Sequence, residues 1–245
     1  MTFTPRNPAK ATVERLALLY SPVWMAVMAV VTLTGAFRDF GDVEYMALGV
    51  GLALPLWLLP LFVERDRPLV ERHAFRWSAL LLVFSLIQNY FGAQLFFRTF
   101  GMEYHFRTKW ILNGSPVFLT WLTCAYFSTY FVLMQIGYRA SGHKLWARVV
   151  LSYAMAFGET AAMANRHLAG FFSYRDPTFV MLWGSLAYGT IFFVTLPLFA
   201  KLDEERPMTR PLGTELWDFL ALNMLCLCLY EVFDRTLYRW MAPGG

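Results

Sequence analysis

The chain has 245 residues, 58% of them hydrophobic and 18% aromatic, with only 16% charged and a formal net charge of +4. A soluble domain carries about 25% charged residues; this composition, a mean hydropathy of +0.44 and apolar residues in long blocks predict an all-α integral membrane protein. The modest positive charge is spread over the connections without a basic stripe, so no nucleic-acid partner is expected.

The first residues, MTFTPRNPAKATVERLALLY, are polar and contain proline, with no short apolar core followed by a small-residue cleavage site. The first span is therefore expected to stay in the mature protein. A span needs about 20 apolar residues. Seven stretches qualify in one bundle: about 15–36, 43–63, 74–97, 116–138, 146–167, 178–200 and 214–234. No internal repeat, low-complexity segment or separate soluble domain interrupts them. Lys and Arg favour the N-terminal side, which predicts a cytoplasmic N-terminus. Short termini and loops point to a bacterial inner membrane; a eukaryotic chain of this kind belongs in the endoplasmic reticulum. The longest connection, from Arg98 to Ser115, is rich in aromatic and polar groups. It reads either as an interfacial belt anchored by Tyr104 and Trp110 or as a re-entrant lid.

Cys124, Cys226 and Cys228 lie in apolar runs, without the spacing of a metal site or a disulfide. His73, His105 and His143 lie in connections and His167 at a span end, and none pairs at metal-ligand spacing. No nucleotide loop, zinc motif or nucleophile triad is present. No metal and no cofactor are expected.

Polar groups at bilayer depth need partners and face the bundle interior. Glu44, Asp218 and Asp234 lie near span ends, within reach of water. Glu231 precedes Arg235 by four residues, the spacing of a helical ion pair. Glu159 differs. It lies about nine residues, roughly 13 Å, from the near end of its span, inside the stretch AFGETAAMAN. Ser152, Ala156, Glu159 and Ala162 share one small, polar helix face. That face admits a partner helix closely, or the flat body of a ligand. Burial without a fixed cation favours a neutral carboxylic acid, a proton donor aimed at an apolar space. Interhelical hydrogen bonding, for example to Asn89 or Tyr90, is the alternative.

Several motifs occur in a familiar order. LLYSPVW supplies Tyr20, Pro22 and Trp24; VEYMALGVGLALPLWLLP supplies Glu44, Tyr45, Pro55 and Pro60. FSLIQNYFGAQLFFRTFGMEYHF carries Phe84, Ser85, Asn89, Tyr90, Phe91 and Tyr104. LSYAMAFGETAAMAN carries Ser152, Tyr153, Glu159, Thr160 and Asn165, and LPLFAKLDEE carries Pro197, Phe199, Asp203 and Glu204. By their order over roughly 200 residues, the chain resembles the cycloeucalenol cycloisomerase family.

That resemblance implies a membrane isomerase that opens the 9β,19-cyclopropane ring of a sterol to give a Δ8 sterol such as obtusifoliol. The expected partners are a cyclopropyl sterol and membrane lipid. The plant pattern carries histidines in the third and fourth spans, where this chain has Gln94, Val117 and Trp121. On this reading Glu159 is the acid, with Asn89 and Tyr90 orienting it or relaying its proton. Glu44 or Glu231 is the conjugate base, with Glu44 favoured by the motif match. Tyr20, Trp24, Tyr104 and Tyr153 line the pocket, and Asn165 binds the sterol 3-hydroxyl. A non-catalytic sterol or lipid binder and a proton-coupled transporter are the competing classes.

Overall fold

The computed structural model describes residues 3–205 and 210–238. Among these residues seven long helices form one bundle: α1 Pro8–Thr34, α2 Asp42–Leu58, α3 His73–Thr99, α4 Val117–Ala140, α5 Leu145–Met163, α6 Pro177–Lys201 and α7 Leu212–Phe233. All but α5 are long and apolar enough to cross a membrane, and the chain is a multi-pass membrane protein. In α5, 19 residues long, Arg148 and Glu159 dilute the apolar content. π-helical turns occur at Gln88–Gly92 within α3 and Val180–Gly184 within α6, and a third, Asp234–Tyr238, continues α7.

Some boundaries depart from the expected spans. Helix α1 starts at Pro8 rather than near residue 15, because Asn7 caps it by accepting the Ala9 N–H at 3.0 Å. Helix α5 stops at Met163 rather than near residue 167. There the Asn165 side chain accepts the N–H groups of His167 and Leu168 and offers its amide to the Ala162 carbonyl, making a turn where more helix was expected.

Close backbone approaches set the packing. A Cβ on Gly49 of α2 would stand 2.5 Å from the Phe118 carbonyl oxygen of α4. A Cβ on Gly189 of α6 would stand 3.2 Å from the Ser152 carbonyl oxygen of α5, so the small-residue face of α5 does seat a neighbouring helix. Around these seams phenylalanines fill the core: Phe84 meets Phe127, Phe131, Phe192, Phe199 and Phe219 at ring separations of 4.8–6.5 Å.

The two ends of the bundle differ. At the end holding the start of α1, buried charges interlock. Lys10 donates to the carbonyls of Phe199, Ala200 and Leu202, closing the end of α6, and pairs with Glu204 at 2.8 Å. Arg139 joins Glu14 at 2.7 Å and Glu204 at 2.5 Å. Arg76 joins Asp203 at 2.8 Å and also Glu215, while His73 Nδ1 lies 3.0 Å from Asp203. Buried ions persist only when paired in this way. At the opposite end two loops meet. The Arg98–Ser115 connection contributes β1 (Glu103–Tyr104) and β2 (Ile111–Leu112), the latter paired with β3 (Ser115–Pro116). The connection after α5 contributes β4 (Phe172–Ser173), antiparallel to β1.

Candidate active site

Glu159 lies four residues before the end of α5, about 6 Å along the axis at 1.5 Å per residue. It is therefore shallower than the sequence implied, and its cover comes from the two loops as much as from depth. Pairing of Glu103 with Ser173 and of Tyr104 with Phe172 ties those loops together over that end of the bundle.

The carboxyl has one direct partner. Tyr188 of α6 donates its hydroxyl to Glu159 Oε2 at 2.5 Å. No ion pair involves Glu159 among the described residues. Four further tyrosines lie within electrostatic reach of it: Tyr126 and Tyr130, one turn apart on α4, and Tyr104 and Tyr174, one from each loop. Glu159 and these five tyrosines are all half-buried, and we take the surface they keep as the lining of one recess. The hydroxyls of Tyr104, Tyr126, Tyr130 and Tyr174 have no hydrogen-bond partner among the described residues. Burial pushes the loop phenols Tyr104 and Tyr174 upward from the usual tyrosine range, and the nearby Glu159 adds to this, so both remain O–H donors.

Ring faces complete the walls. Tyr188 packs on Phe192 at 5.0 Å and against Phe96 at 5.9 Å; Tyr126 sits 6.3 Å from Trp24 and 5.4 Å from Tyr130. On the loop side Tyr104 contacts Phe97 and Phe172. An open pocket of about 320 Å³ is lined by Phe97, Met102, Glu103, Tyr104, His105 and Gly114, and so shares Tyr104 with this group. The arrangement presents one uncompensated carboxyl, a phenol bound to it and aromatic faces around it. It is suited to handing a proton to an apolar molecule and to stabilising the cation that results.

The structure gathers only some of the expected residues at this place. Tyr104 lines the recess, and Trp24 backs it through Tyr126 while donating its indole N–H to Thr129 at 3.0 Å. Asn89 and Tyr90 do not orient Glu159. Asn89 donates to the Ser85 carbonyl and to Thr123, and Tyr90 is exposed and packs edge-on against Phe91. Glu44 is exposed and caps α2 by accepting the Gly41 N–H at 2.9 Å. Glu231 is exposed and pairs with Arg235 at 2.6 Å, as its spacing foretold. Tyr20 donates to the Leu52 carbonyl, joining α1 to α2. Tyr153 reaches the Leu182 carbonyl at 3.3 Å, across the seam of α5 and α6. Asn165 forms the turn after α5. Of the positions that depart from the plant histidine pattern, Gln94 donates to the Asn113 carbonyl and Trp121 packs edge-on against Trp57.

Sequence reasoning missed Tyr126, Tyr130, Tyr174 and Tyr188 as site residues. The available signal was the four-residue spacing of Tyr126 and Tyr130 inside an apolar helix, which puts both phenols on one face.

No protein-family model and no solved structure matches the chain. It is similar to the cycloeucalenol cycloisomerase of Arabidopsis thaliana, 28% identical over an alignment of 254 positions that covers 95% of this chain and 86% of that protein. At modest identity the similarity runs almost end to end, and it bears out the resemblance read from the motifs.

Proposed function

We propose that this relative of cycloeucalenol cycloisomerase is itself a membrane sterol isomerase. It opens the 9β,19-cyclopropane ring of cycloeucalenol, or of a related cyclopropyl sterol, to give a Δ8 sterol such as obtusifoliol. The observation that carries this reading is the uncompensated Glu159 carboxyl, held by Tyr188 in a recess walled by tyrosines.

In its neutral form Glu159 delivers a proton to C19. The C9–C19 electron pair becomes the new C19–H bond, and positive charge develops at C9. Loss of the C8 proton leaves its bonding pair as the C8=C9 double bond. One proton enters and one leaves, so the reaction is an isomerisation without net oxidation. A cyclopropane is a poor base, so placement of the donor and stabilisation of the cation must supply much of the rate. The faces of Tyr126, Tyr130 and Tyr188 are positioned for the second task. On this reading the N-terminus and the charged end of the bundle lie on the cytoplasmic side, with the tyrosine recess toward the opposite face, as the Lys and Arg excess on the N-terminal side supports.

The test is product analysis. Protein in sterol-containing membranes, supplied with cycloeucalenol, is expected to yield obtusifoliol by mass spectrometry. In deuterated water the new C19 methyl group should carry deuterium. Glu159→Gln keeps the shape of the side chain and removes the transferable acid proton; turnover is expected to fall about 10²-fold or more. Sterol bound and released unchanged would make the protein a non-catalytic binder, and normal turnover by Glu159→Gln would remove Glu159 as the acid.

A further inference from the structure

The reaction proposed above needs a proton donor and then a proton acceptor, yet among the described residues Glu159 is the one carboxyl hydrogen-bonded within the tyrosine group. We infer that Glu159 is both: it protonates C19 and, as the carboxylate left behind, takes the C8 proton in the same turnover. This inference rests on the isomerase reading.

The other acidic side chains at this end of the bundle are exposed or engaged elsewhere, and Asp39, in the connection after α1, is exposed. Glu44 caps α2 and Glu231 pairs with Arg235. Glu103, beside Tyr104, is exposed and turns to His105 at 3.6 Å. Asp176 caps the start of α6 by accepting the Phe179 N–H at 3.0 Å. Asp42 accepts from Thr108 and Lys109, and Asp234 accepts from Thr99. The groups within electrostatic reach of Glu159 are phenols: Tyr188 from α6, which is hydrogen-bonded to it, Tyr126 and Tyr130 from α4, and Tyr104 and Tyr174 from the loops. A phenol that stays protonated is a donor and no base for a C–H proton.

The geometry divides the carboxyl between two tasks. Tyr188 occupies Oε2, which leaves Oε1 to carry the proton out and back. Once C19 is protonated, Glu159 is an anion facing a cation at C9, and the Tyr188 hydroxyl holds that anion in place. In a 9β,19-cyclopropyl sterol the bridging C19 and the C8 hydrogen project from the same face of the ring system. A single oxygen therefore reaches both positions with a small shift of the substrate. Transfer of the C8 proton to Oε1 forms the double bond and restores the neutral acid, so the resting enzyme is regenerated without solvent.

The free enzyme then has one required protonation state. In lipid nanodiscs, kcat/KM is expected to stay level toward low pH and to fall along a single limb as pH rises and Glu159 loses its proton. A separate carboxylate base would add a second, acidic limb, because it must be ionised to act. Circular dichroism at each pH distinguishes such a limb from unfolding. Glu44→Gln, Glu103→Gln and Glu231→Gln are each expected to keep kcat within about threefold; a loss near the 10²-fold scale of general acid–base catalysis in any of them would identify a second catalytic group. An acidic limb in the folded protein, or such a loss, overturns the single-carboxyl scheme and leaves the isomerase reading standing. Absence of any Δ8 product from the wild-type protein overturns both.

Discussion

A carboxyl one turn inside a helix end is tolerable in a membrane protein only if something solvates it, and here that is a single phenol. Tyr188 donates to Glu159, so it stabilises the anion that exists after proton transfer more than the neutral acid before it. Tyr188→Phe removes that bond with little change in volume. A hydrogen bond to a charged group contributes about 1.5–3 kcal/mol, so kcat is expected to fall roughly 10- to 100-fold. KM should change little, because the ring remains in place. Steady-state kinetics separates the two constants, and a variant with raised KM and unchanged kcat would make Tyr188 a binding group only. Glu159 was legible in the sequence because a charge within an apolar run stands out. Tyr188 was not, because a tyrosine in a span reads equally well as an interfacial anchor. The same ambiguity put Asn165 at the substrate; its side chain instead accepts two backbone N–H groups and ends α5.

At the level of helices, the apolar blocks located all seven elements, since block length and composition are properties of sequence alone. Which helices touch was not legible, because contact depends on a few small residues whose importance emerges only after folding. Gly49 is one. Any side chain there collides with the backbone of α4 at Phe118, a neighbour that cannot rotate away. Gly49→Val is expected to separate α2 from α4 and to cost about 1–3 kcal/mol, read as a lower unfolding temperature in detergent. Gly51 provides the contrast, since no atom lies within 4 Å of a Cβ built there, and Gly51→Val should change that temperature little. Equal effects at both positions would mean that loss of helix flexibility, rather than the close approach, sets the cost. The loops followed the same rule. Their aromatic content was visible in the sequence, whereas the pairing of β1 with β4 that ties them over the recess joins segments about 70 residues apart.

Over the whole molecule, stability and chemistry are assigned to opposite ends. The charged end binds the starts of α1, α3 and α7 to the ends of α4 and α6 through Lys10, Arg76, Arg139, Asp203, Glu204 and Glu215. Motif matching had marked Asp203 and Glu204 without giving them a role, and the structure makes them fasteners. A buried ion pair that loses one member leaves the other uncompensated, at a cost of about 3–5 kcal/mol. Asp203→Asn strips the charge that faces both Arg76 and His73 and should lower the unfolding temperature by the equivalent of about that cost. Asp218→Asn breaks the exposed pair with Arg210 and should cost at most about 1 kcal/mol. Because the tyrosine recess lies at the other end, Asp203→Asn protein that remains folded at low temperature should convert substrate with a kcat near the wild-type value. A kcat that fell together with stability would mean that the fastened end also sets the geometry around Glu159. The ratio of the two effects in Asp203→Asn thus measures how independently this bundle holds itself together and performs its reaction.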